Sequence, residues 1–293
     1  MCIRDSMKTL FYLITLLPIE IIRFSVKLYC SLGFYKMNSS YKVSLVNINI
    51  CYPDLSETEK LVLARDSIVE TIVSGYETLQ SWSRPIHQSG DRIFKVENNF
   101  LLSQNILASE GLIIVAIHNR SVDMLLKWVN GKTRTTTLYK KVKNKKLDHF
   151  VRAQREEGNN KTFETNISGV RQIYKALISK KVVCLAADQV PQNNMGEYIK
   201  LFNRDAYTTT LAPSLAIKTN KPVIYFCINS YKSSLLSISI NPCDKDIYND
   251  SKHKLSLNKD IEKLININPK DYSWEYKRYK KPPQGVKNPY EGI

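Results

Sequence analysis

Residues 111–129, GLIIVAIHNRSVDMLLKWV, decide the fold. GLIIVAI (111–117) is apolar throughout and short, as a strand buried on both faces should be, and SVDMLLKWV then takes up helical spacing. Strand passing directly into helix is the repeating unit of an α/β sheet, and the texture continues downstream. TRTTTLY (133–139), KVVCLAA (181–187), PVIYFCI (222–228) and LLSISI (235–240) read as strands, with helices expected at 167–179 and 258–266. The fold class expected is α/β: a mostly parallel mixed sheet flanked by helices, with chemistry at the C-terminal ends of the strands.

Upstream the texture is helical. Residues 38–85 read as helix broken at Pro53, and Ser56 followed by Glu59 has capping-box spacing ahead of LVLARDSIVETIV. Further upstream, TLFYLITLLPI from Thr9 and IIRFSVKLYCSLGFY from Ile21 are apolar, with isolated charges at Glu20, Arg23 and Lys27. The uncharged run is shorter than the roughly 20 residues of a spanning helix, so an interfacial or tilted membrane anchor over 7–35 is expected, with a buried amphipathic helix as the alternative. MCIRDS (1–6) fits no later pattern and precedes a second methionine; it is set aside as a sequencing or cloning scar. Residues 36–293 then form one catalytic domain with a helical layer at its start, a length ordinary for a single α/β unit.

The 43 Lys+Arg exceed the 27 Asp+Glu by 16, which suits a large acidic partner: nucleic acid, an anionic membrane or an acidic carrier protein. Neither a helix-turn-helix, a zinc pattern nor an aromatic RNA-binding signature supports nucleic acid. The six cysteines show neither C-x-x-C pairing nor zinc-site spacing, so reduced thiols and no metal are expected.

His118 follows the strand at 111–117, and Asp123 stands five residues on, at the start of the next helix. Within one helix that spacing would set the side chains about 140° apart. With His118 in the turn, the Asp123 carboxylate is expected to reach back to the imidazole and fix its tautomer while the other ring nitrogen accepts a proton from an attacking hydroxyl. His87, His149 and His253 lack such a setting. Asp188 and Gln189 follow the strand KVVCLAA and should also stand at the sheet edge, Asp188 orienting Arg155 or another basic group or capping a turn. Thr208, Thr209 and Thr210 read as the start and cap of a helix. In the tail, Tyr272, Trp274, Tyr276, Arg278 and Tyr279 suit either a headgroup belt or packing of the chain end on the domain.

Four blocks in order carry a family resemblance: NINICYPDLSETEK, LYKKVKNKKLDHFVRAQREEG, the stretch from AADQVPQNN to TNKPVI, and DYSWEYKRYKKPP. Together with H-x-x-x-x-D at 118–123, they resemble the bacterial lipid A late acyltransferases, the lauroyl and myristoyl transferases, within the wider H-x-x-x-x-D glycerolipid acyltransferases. The resemblance covers about residues 40–282. It implies His118 and Asp123 as the catalytic pair and Arg155, Asp188 and Gln189 as substrate-binding residues. It also implies acyl carrier protein as donor, a lipid hydroxyl as acceptor, work at the cytoplasmic face of the inner membrane, and no cofactor. IHNRSVDM departs from the family's frequent glycine or aromatic after the histidine and glutamate at the acid position, which leaves the acceptor open; a lysophospholipid or an amino-acid lipid is the alternative.

Overall fold

The computed structural model describes residues 3–232 and 234–293; Met1 and Cys2, the first part of the segment set aside as a scar, lie outside them. In chain order the elements are α1 (Ile3–Ile14), α2 (Ile19–Ser31), α3 (Ser39–Cys51), α4 (Glu57–Ser83), β1 (Ile93–Glu97), α5 (Asn99–Ala108), β2 (Leu112–Ala116), α6 (Val122–Asn130), β3 (Thr135–Tyr139), α7 (Lys145–Arg155), β4 (Lys161–Glu164), α8 (Ile167–Ile178), β5 (Val182–Ala186), β6 (Gly196–Leu201), β7 (Arg204–Thr209), α9 (Leu211–Thr219), β8 (Val223–Tyr231), β9 (Leu235–Pro242) and α10 (His253–Ile267).

The main sheet has the order β1-β9-β8-β2-β5-β3-β4. Each neighbouring pair is parallel except β8 with β9, which are joined antiparallel, so the mixed, mostly parallel sheet expected from the strand–helix texture is present. β6 and β7 form a separate antiparallel hairpin. The continuous apolar character of β2 follows from its central place: Ile113, Val115 and Ile117 pack into the core on one side, Leu112 and Ile114 into the core on the other. Helices α5 and α6 cover the second face with Leu102, Leu125 and Trp128. Helices α3, α4, α8, α9 and α10 contribute to the first.

The capping box at the head of α4 forms as expected: the Ser56 hydroxyl accepts from the Glu59 N–H while the Glu59 carboxylate accepts from Ser56. The N-terminal segment, expected as an anchor helix, is not a single helix. α1 and α2 are separated at Thr15–Pro18 and bent by 72°, because proline restricts the residue before it and cannot continue the hydrogen-bond ladder. Among the described residues no single helix is long and apolar enough to cross a membrane, although the bent pair reaches the required length and composition together. Its inner side packs on the domain through Ile19, Val26 and Cys30 and the Phe11–Phe150 edge contact at 5.4 Å. Its outer side leaves Leu10, Leu13, Leu17, Ile21, Phe24 and Leu28 each at least half exposed.

The aromatic tail is core. Trp274 and Tyr279 are buried, the Trp274 indole donates to the Pro269 carbonyl at 2.7 Å, and Asn47 of α3 donates to the Trp274 and Tyr276 carbonyls. Of the headgroup-belt and packing alternatives for these residues, packing is the one the fold adopts. Thr208 and Thr209 end β7 rather than beginning a helix, whereas Thr210 stands at the N-cap position of α9 and the Thr209 hydroxyl accepts from the Leu211 N–H.

Candidate active site

β2 and β5 are adjacent and parallel, with Ala116 opposite Ala186. Two residues beyond each, the chain leaves the sheet with His118 and Asp188, so equal offsets bring the two side chains together at the C-terminal edge. Asp188 holds the histidine twice: Oδ1 lies 2.8 Å from the ring Nδ1, and Oδ2 accepts the His118 main-chain N–H at 2.9 Å. The Asp188 side chain is 2% exposed and the His118 side chain 25%. Burial works against imidazole protonation, but the charge and hydrogen bond of Asp188 overcome it, and the His118 pKa lies above its ordinary value. Burial likewise opposes the Asp188 charge, and His118 outweighs it, holding the carboxyl below its usual range.

This geometry corrects the expected pairing of His118 with Asp123. Asp123 sits in the first turn of α6, whose start is fixed by the Ser121 hydroxyl accepting from the Met124 N–H. From there its two carboxylate oxygens take a bidentate grip on Arg155 at the end of α7, Nε at 2.6 Å and Nη2 at 3.0 Å. Burial works against the guanidinium charge and Asp123 more than restores it, so Arg155 is raised above its ordinary pKa. A fork-to-fork pair of this kind fixes the plane of the guanidinium as well as its position. Asp188, expected to orient Arg155 or another basic group or to cap a turn, faces His118, while Arg155 is held by Asp123.

His118, Asp123, Arg155 and Gln189 all line one cavity of about 500 Å³. Its interior is apolar, formed by Ile114, Leu125, Val129, Cys184 and Phe226. Cys184 is inert packing here, its thiol pushed up to about 12 by burial. The mouth is basic: Lys140, Lys280 and Lys281 join Arg155, and Asp123, already engaged by Arg155, is the acidic side chain of the lining. Lys280 and Lys281 escaped the sequence reading because they lie about 90 residues from Asp188; the tail returns to the sheet edge through Tyr276, whose hydroxyl accepts from the Val190 N–H at 3.0 Å. Glu275 was also missed. Burial raises its pKa, and the charge of nearby His118 acts on it in the opposite direction.

The site can remove a proton with a histidine whose Nδ1 is occupied, stabilise a developing oxygen anion with a guanidinium, and hold a long apolar chain. Comparison with known proteins agrees with such chemistry. A family profile described as bacterial lipid A biosynthesis acyltransferase matches residues 7–281. The chain is similar to a lipid A biosynthesis acyltransferase of Haemophilus influenzae, 23% identical over 81% of this chain and 76% of the relative. It is also similar to a lipid A biosynthesis lauroyltransferase of Escherichia coli, 22% identical over 95% of this chain and 92% of the relative.

Proposed function

The chain belongs to the bacterial lipid A biosynthesis acyltransferase family, and from that membership we propose that it moves a fatty acyl group from an acyl carrier protein thioester to a hydroxyl of a lipid A precursor. The observation that carries the reading is His118, held at Nδ1 by Asp188, at the mouth of an apolar cavity whose volume falls in the usual range for ligand sites. With Nδ1–H donated to Asp188, Nε2 is the nitrogen left to accept the proton of the acceptor hydroxyl. The hydroxyl oxygen attacks the thioester carbonyl carbon, and Arg155, aimed by Asp123, stabilises the tetrahedral oxyanion. Collapse breaks the C–S bond; the proton passes from His118 to the departing thiolate, leaving an ester and the carrier thiol. Mass spectrometry of lipid A from cells with and without the gene tests the assignment. Loss of one acyl chain from lipid A is expected, and an unchanged lipid A beside an altered phospholipid pool would move the acceptor elsewhere.

The exposed apolar side of α1 and α2 supports docking on a membrane surface, where the acceptor resides. Three outward residues, Leu13, Phe24 and Leu28, are each at least half exposed, so Asp in their place should leave the fold intact. Full burial of a large apolar side chain is worth about 1.5–3 kcal/mol. The triple variant is expected to bind vesicles at least about 100-fold more weakly in sedimentation assays, with an unchanged circular dichroism spectrum. Unaltered vesicle binding would remove this face from the membrane contact.

The basic stretch from Lys140 to Arg155 supports capture of an acidic carrier. Lys143, Lys145 and Lys146 are exposed around the head of α7. Reversing all three to Glu is expected to raise KM for the carrier-bound donor severalfold more than KM for the lipid. The effect should fade with salt as the Debye length drops from about 10 Å at 0.1 M to about 3 Å at 1 M. Equal use of acyl-CoA, with both donors indifferent to the reversal, would defeat the docking proposal while leaving the His118 chemistry standing.

A further inference from the structure

Two residues after His118, Arg120 is a charge enclosed by the fold. Its side chain is 1% exposed and faces the carboxylates of Glu70, Glu77 and Asp271. Nε donates to Glu77 Oε2 at 3.0 Å, Nη2 donates to the other Glu77 oxygen, and Nη1 is shared between Glu70 and Asp271, the latter at 3.1 Å. Glu70 and Glu77 stand two turns apart on one side of α4, a spacing that lets both meet a single guanidinium. The main chain is held at the same place: Arg120 N–H donates to the Asp271 carbonyl at 3.0 Å, and Ser273 N–H donates to the His118 carbonyl at 3.0 Å. Asp271 is itself fixed by the Ser230 N–H and hydroxyl and by Asn268.

The turn so held is an unusual one. Arg120 has φ +49°, in the left-handed region that non-glycine residues occupy only where their surroundings hold them. That conformation carries the chain from the end of β2 to the Ser121 cap of α6, between His118 and Asp123. Resting on the acyl-transfer reading above, we propose that Arg120 is a positioning residue: its guanidinium locks the 118–121 turn so that His118 keeps its bond to Asp188 and stays directed at the cavity.

A buried ion cage can also serve stability alone, and the same cage supplies the comparator. Arg23 of α2 donates to Glu70 at 3.0 Å without contacting the turn, so its loss should weaken the fold without moving His118. Full-length wild type, Arg120→Lys and Arg23→Ala are compared in detergent micelles, with an acyl carrier protein thioester and a lipid A precursor as substrates. The His118 titration is followed by NMR of ¹³C-histidine protein, its signal identified by loss in His118→Gln. Lys keeps the charge but cannot span three carboxylates. It is expected to lower kcat on the order of 100-fold, as a misplacement of about 1 Å can, with both KM values within about threefold. His118 should then titrate at lower pH, because a loosened Asp188 contact leaves burial to dominate. Arg23→Ala should lower Tm yet keep kcat and the His118 titration.

Wild-type kcat and titration in Arg120→Lys would overturn the proposal, as would a loss of kcat in Arg23→Ala matching that in Arg120→Lys. If Arg120→Lys does not fold, Asp271→Asn replaces it; about tenfold lower kcat with a shifted titration supports the role, and wild-type behaviour overturns it. Should the wild type fail to transfer acyl groups, the acyl-transfer reading fails by itself, while the titration still decides whether Arg120 holds His118.

Discussion

Purified His118→Ala protein is expected to lose acyl transfer by on the order of 100 to 10,000-fold while remaining folded, the loss usual for removing a general base. The separation of these outcomes comes from the geometry. His118 is a quarter exposed at a cavity mouth, so truncating it removes little packing, and the strand before it is buried independently through Ile113, Ile114 and Val115. Asp188 loses its partner, but it stays beside the main-chain N–H it already accepts from. Of the other charged side chains that line the cavity, Asp123 is committed to Arg155, and the cations at the mouth cannot accept a proton while charged. Turnover measured alongside circular dichroism and thermal melting decides the matter. A folded His118→Ala enzyme with near-wild-type turnover would end the mechanism.

What could be read along the chain was whatever depends on neighbours in sequence. The apolar run of β2 announced a doubly buried strand, and its abrupt end at His118 announced the site, because periodicity reports burial directly. β1, α5 and β4 went unread: IFKVE and KTFE are short with half-exposed patterns, and α5 buries chiefly Leu102, so neither gives a clear period. The partner of His118 was not legible either. H-x-x-x-x-D offered Asp123, five residues away, whereas Asp188 is 70 residues away and becomes a neighbour only because β2 lies beside β5. A trace of it was present: both residues stand two positions past apolar strands, yet strand order cannot be read from offsets. Nothing in the sequence singled out Glu70 and Glu77, since only the tertiary fold brings Arg120 between them. In the tail, aromatic and basic residues mix in a way common to headgroup belts and domain cores. The burial of Trp274 and Tyr279 distinguishes them, and burial is a property of the assembled fold.

The exchange of acid partners has a measurable consequence, expected in Asp188→Asn. As a general base His118 works only when neutral, so kcat/KM should fall as pH drops through its pKa. Because Asp188 raises that pKa against the opposing effect of burial, the acidic limb of the wild type is expected above the ordinary histidine value of about 6.5. Asn removes the charge and leaves burial the dominant influence, so the limb should move to lower pH. The plateau should fall at the same time, by on the order of 100 to 10,000-fold. An Asn amide can turn its N–H₂ toward Nδ1, which then becomes the acceptor and leaves the proton on Nε2, where the base is needed. Asp123→Asn makes the contrast: it loosens Arg155, costs oxyanion stabilisation, and should reduce kcat with a much smaller movement of the acidic limb. Profiles of kcat/KM against pH for the wild type and both variants, with the fold checked at each extreme, distinguish the two carboxylates. If Asp123→Asn moves the limb and Asp188→Asn does not, Asp123 is the carboxylate that sets the His118 titration in the free enzyme, and the assignment of Asp188 as its partner fails.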